Sequence, residues 1–107
     1  MMQTPNSKLY KVVFLHLGKV YEVYSRGVSS SGLFGFLEVS ELVFDQSDSM
    51  VVDPVEEKLR DEFAGVEVLH LPIQSVLRVE QVRKRGQCVI RDQKTGENVT
   101  PITLNRK

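Results

Sequence analysis

Residues 53–65, DPVEEKLRDEFAG, decide the fold class. Asp53 is placed to accept from the backbone N–H groups two or three residues on. Pro54 suits the first helical position, where its missing N–H costs nothing. Glu56, at the third position, completes a capping box with an Asp in the usual Ser/Thr place. Val55, Leu59 and Phe63 are four apart and form one apolar stripe, and Gly65 is placed to end the turn in the left-handed conformation. The pattern predicts a helix over 54–64. Its carboxylates Glu56, Glu57, Asp61 and Glu62 read as the solvated side of that helix, or as an acidic docking surface for a basic partner. Glu57 and Asp61 repel slightly at this spacing, and Glu56 and Arg60 attract.

Outward from the helix, the chain reads as strand. Valine occurs 17 times in 107 residues and alanine once, at Ala64, and valine suits a pleated sheet while alanine favours helix. Residues 9–17 (LYKVVFLHL) are apolar on both faces, as in a covered strand. Gly18-Lys19 then predicts a type II′ hairpin turn into a strand over 20–26. Residues 27–32 (GVSSSG) have loop composition, and 36–44 (FLEVSELVF) alternate as a third strand. Residues 45–49 (DQSDS) form another loop, and 66–71 a strand stopped by Pro72. A strand over 76–82 follows, and 88–90 could add one more.

The expected architecture is α+β: a small, strongly bent antiparallel sheet or SH3-like barrel of about five strands, with one short helix between strands three and four. Residues 1–8 are expected to be a disordered N-terminus, 9–91 a single domain, and 92–107 a mobile basic tail.

Composition narrows the function classes. At roughly 100–200 residues per domain, the chain holds one core. Zero net charge excludes a uniformly basic nucleic-acid binder and a uniformly acidic mimic. One cysteine excludes an internal disulfide framework and a four-cysteine zinc site. No apolar run approaches the roughly 18 residues of a membrane helix. The run 12–17 contains His16 and has no small-residue cleavage site after it, so it is not expected to be a signal peptide. A cytoplasmic setting is expected.

The pieces 10–14 (YKVVF), 18–24 (GKVYEVY), 35–44 (GFLEVSELVF), 51–66 (VVDPVEEKLRDEFAGV) and 71–82 (LPIQSVLRVEQV) resemble a small proteobacterial family, the domain of unknown function DUF1820. The resemblance spans about residues 8–85. It implies one compact cytoplasmic bacterial domain and supplies no catalytic motif.

The residues themselves offer no catalytic constellation and no metal or cofactor site. His16, His70 and Cys88 come from three separated segments without zinc spacing. Cys88 follows Arg83, Lys84 and Arg85, which would lower its pKa if held close, but no protease signature surrounds it. An enzyme would need a pocket where a histidine or Cys88 meets the helix carboxylates. No phosphate-binding glycine pattern is present.

Charge is asymmetric, however. Residues 1–82 hold seven Lys and Arg against twelve Asp and Glu, and residues 83–107 hold seven against two. A basic segment of this kind can bind phosphates, which would fall to Arg83, Lys84, Arg85 and Arg91, or can fold back on its own acidic domain. The expected function is that of a non-enzymatic binding domain, self-associating as a homodimer because strand one is apolar on both faces and Tyr21, Tyr24, Phe34, Phe36 and Phe44 exceed the needs of one small core. The alternative is an RNA or single-stranded DNA accessory protein using residues 83–91.

Overall fold

The computed structural model describes residues 8–44 and 53–99. Six strands and one helix make up this part: β1 (Leu9–His16), β2 (Lys19–Ser29), β3 (Phe36–Val43), α1 (Pro54–Glu62), β4 (Val68–Pro72), β5 (Val76–Val82) and β6 (Val89–Asp92). The N-terminal residues 1–7, the loop expected at 45–49 and residues 100–107 of the basic segment lie outside the described residues.

All pairings are antiparallel, in the order β4-β3-β2-β1-β5, with β6 also on β2. β2 organises the sheet. One of its edges pairs with β1. Along the other, Lys19–Glu22 pairs with β6, and the chain from Tyr24 onward pairs with β3. Two strands therefore lie end to end on one edge, and six strands form where about five were expected.

The sheet is open, not a closed barrel. Its outer strands β4 and β5 do not pair with each other. The chain leaves β4 at Pro72, passes through a 3-10 turn at Ile73–Ser75 and enters β5 on the far edge, beside β1.

Two local expectations are also corrected. The β1–β2 turn is built on Leu17 and Gly18, with φ of 52° and 77°, while His16 faces Lys19 across it. It is thus a type I′ turn, one residue earlier than the type II′ turn expected at Gly18-Lys19, and its twist matches the paired strands. Residues 27–29 are strand, not loop. Gly27 and Val28 pair with Ser40 and Val39, and that pairing outweighs their turn-like composition.

The helix forms where its signals place it. Asp53 Oδ1 accepts from the Val55 N–H at 3.0 Å, and Pro54 opens the first turn. It ends at Glu62 rather than Ala64, with the Phe63 N–H bonded to the Leu59 carbonyl. Leu59 is fully buried, and Val55 and Phe63 pack half-buried beside it.

The pairs Val12–Val23, Phe14–Tyr21 and Tyr21–Ile90 put these side chains on one face of the sheet. α1 lies over that face, since the Tyr21 hydroxyl reaches Glu62 on the helix. The Phe14 and Tyr21 rings stack with centroids 5.1 Å apart. The core is aliphatic with aromatic plugs, as composition implied. Of the surplus aromatics, Tyr21 and Tyr24 are buried, Phe36 and Phe44 half-buried, and only Phe34, in the β2–β3 loop, is exposed.

Within segment 92–107, the described part turns back on β6. Asp92 Oδ1 accepts from the Lys94 and Thr95 N–H groups, and the Val99 N–H bonds to the Ile90 carbonyl at 2.7 Å. Those two backbone donors hold the Asp92 carboxyl below its ordinary range.

Candidate binding groove

Between α1 and the β1–β2 turn lies an open groove of about 850 Å³. Three local features build it. The type I′ turn projects Leu17 and brings His16 and Lys19 to the rim. β2 and β6 supply Tyr21 and Ile90, and the chain after β6 supplies Val99. The helix contributes Pro54, Glu57, Lys58, Asp61 and Glu62, which share one side because they are spaced three and four apart. Three of the four helix carboxylates, Glu57, Asp61 and Glu62, thus form one wall of a groove with apolar side chains beneath.

Tyr21 ties wall to floor. Its hydroxyl donates to Glu62 Oε1 at 3.3 Å, and Lys58 bridges the same carboxylate at 3.3 Å. Burial, then the Glu62 charge, pushes the Tyr21 pKa up to about 12, so the phenol keeps its proton and acts as a donor. His16 stands edge-on to the Tyr21 ring at 5.7 Å between centroids. A histidine and the helix carboxylates therefore do share a pocket. The contacts that join them are an edge-on ring pair and a phenol that keeps its proton.

Glu56 behaves differently from its three neighbours on the helix. It is buried, and its carboxylate binds the Arg85 guanidinium and accepts the Cys88 N–H at 3.2 Å. Arg85 also bonds the Gly86 carbonyl at 2.9 Å and the Val43 carbonyl at 3.5 Å, with its guanidinium 5.8 Å from the Tyr24 ring centroid. This node joins the end of β3, the start of β6 and the first turn of α1. Gly86 leaves room for the Tyr24 hydroxyl, since a Cβ there would stand 2.6 Å from it and displace it. Spacing held the missed signal: Glu56, Leu59 and Phe63 follow a 3–4 helical step, so Glu56 lies on the buried stripe.

Cys88 is buried inside the node. Arg85 is held close, as the lowered-pKa expectation required. Burial and the Glu56 carboxylate outweigh it and push the thiol up to about 12. His70 pairs with Glu38 at 3.6 Å across β3 and β4, so His16, His70 and Cys88 sit in three different neighbourhoods.

The four basic residues singled out for nucleic acid divide evenly. Arg83 and Lys84 are exposed after β5. Arg85 binds Glu56, and Arg91 binds Glu22, which Lys11 also contacts at 3.2 Å. Half of the set is thus folded back on acidic groups of its own domain. Burial opposes ionisation of Glu22, but the bonds from Arg91 and Lys11 prevail and hold its carboxyl below the ordinary range.

No described helix is long and apolar enough to cross a membrane. Among curated proteins and among solved structures, nothing matches this chain. A family model does, over residues 8–104, which takes in both the groove and the Glu56–Arg85 node. The chain belongs to the domain of unknown function family DUF1820.

Proposed function

We propose that this domain acts by binding rather than by turnover, and that its groove receives a short basic, amphipathic segment of a partner protein. The observation that carries the reading is an apolar floor (Tyr21, Ile90, Val99), with Leu17 at the rim, beside a helical wall bearing Glu57, Asp61 and Glu62. Lys19 and Lys58 share the rim, so the carboxylates are in excess by one. Affinity would then come chiefly from apolar area, at about 25 cal/mol per Å² removed from water. Charge would set orientation and the rate of encounter. A reducing, cytoplasmic setting suits a chain whose single thiol is buried.

The test is an NMR titration of the full chain with a short peptide of alternating lysine and leucine, at low and moderate salt. Shifts centred on His16, Tyr21, Asp61 and Val99, lost in Glu57→Lys/Asp61→Lys, are the expected result. Absence of shifts at millimolar peptide, or shifts elsewhere, would overturn the reading. A parallel titration with short RNA and single-stranded DNA addresses the other partner class. Salt-sensitive shifts at Arg83 and Lys84 would favour nucleic acid instead.

A further inference from the structure

The two outer strands of the sheet are guarded unequally. β4 has five residues and ends in Pro72, two features that discourage pairing with another chain. β5 has seven residues, with no proline, glycine or lysine. It pairs with β1 along one edge, and among the described residues nothing pairs along the other. Val79 faces the fully buried Val12 across the ladder yet is itself 40% exposed, and Leu77 is 54% exposed. The edge carries a bulge near Leu77, where the register against β1 slips, and two charges, Arg78 and Glu80.

Those charges select a partner. Residues directly opposite in an antiparallel pair point to the same face of the sheet. Two copies of β5 related by a two-fold axis can therefore pair only with one residue opposite its own copy. An axis through Arg78 or Glu80 sets like charges against each other, which is destabilising. An axis through Gln81 leaves Arg78 unpaired, and one through Leu77 falls on the bulge. An axis through Val79 sets Arg78 opposite Glu80 of the second copy, twice over. It also places Val79 against Val79.

We propose that this protein forms a homodimer by antiparallel β5–β5 pairing centred on Val79, which joins the two sheets into one. Arg78 and Glu80 are available for this. They lie 3.3 Å apart within one chain, with side chains 68% and 41% exposed. In the dimer they form a network of four alternating charges across the axis. The proposal is independent of the groove, which lies over the β1–β2 turn.

The test is sedimentation velocity on the full chain, from micromolar to sub-millimolar concentration. Wild type shifts towards twice 12.2 kDa as concentration rises. Arg78→Glu alone and Glu80→Arg alone each place like charges across the axis and weaken association about tenfold or more. An equal mixture of these two variants forms a mixed dimer, because every opposed pair is then complementary. The double variant Arg78→Glu/Glu80→Arg returns to wild-type behaviour. Circular dichroism checks that each variant is folded, which the exposure of both side chains favours. A wild type that stays monomeric, single variants that associate like wild type, or a mixture that gains nothing would each overturn the proposal.

Discussion

Two arginine–glutamate pairs mark the extremes of this domain. In Arg85–Glu56 the carboxylate side chain is 4% exposed, and in Arg78–Glu80 it is 41% exposed. Their chemistry is the same and their physical roles are opposite. A buried charge has lost its water, so removing its partner leaves that loss uncompensated. An exposed pair trades one hydrated state for another and contributes little to the fold. The first pair locks β3, β6 and α1 together. The second leaves stability nearly untouched and gives an open sheet edge a charge pattern that another chain can read.

The sharpest way to break this contrast is Glu56→Ala. It strands the Arg85 guanidinium and the Cys88 N–H, and the expected loss is about 3–5 kcal/mol. Urea unfolding measures it. Replacing both partners, as Glu56→Leu/Arg85→Met, is expected to cost less than the single change. Cys88 reports the same node independently. Buried, with its pKa pushed up to about 12, it should resist alkylation at pH 8 in the folded wild type and react many-fold faster in Glu56→Ala. Equal rates in the two proteins would show that the node does not shield the thiol.

Glu22 tests the middle of the range. Its side chain is 12% exposed and is held by Arg91 and Lys11. Glu22→Gln should cost roughly 1–2 kcal/mol at neutral pH. Because folding holds this carboxyl below its ordinary range, its contribution is full above that range and is lost as pH falls from there through the lowered folded-state value. The gap between wild type and Glu22→Gln should therefore close on acidification. A gap that persists in acid would mean that packing, not charge, accounts for the loss.

Arg78→Ala sits at the small end, within about 0.5 kcal/mol of wild type when measured in dilute solution. A loss as large as that of Glu56→Ala would erase the distinction between the two pairs.

Much of the fold was legible along the chain. The capped helix, the alternating strands and the hairpin between β1 and β2 all rest on signals within a few residues of one another. Errors fell where distant pairing overrode local composition. Gly27 and Val28 look like loop until β3 lies beside them. Glu56 looks like part of a wet helix face until Arg85, 29 residues later, arrives as its partner. The candidate groove was less legible than the fold. The helix carboxylates and His16 stand out along the chain, but their meeting depends on α1 lying across β1 and β2. Arg85 and Arg91 showed the same limit from the other side. A basic run in sequence carries no record of which of its charges will meet an acid in space.

By itself, the sequence determined a valine-rich sheet with one helix, an aliphatic core with aromatic plugs, and an acidic body followed by a basic segment. Period, capping and composition are local properties, so they survive without knowledge of the fold. Only the tertiary structure decided that the sheet stays open, that β2 carries two strands on one edge, which carboxylate of α1 goes inside and which ones wall a groove. Those outcomes depend on burial, and burial is settled by what the rest of the chain places on top of each residue.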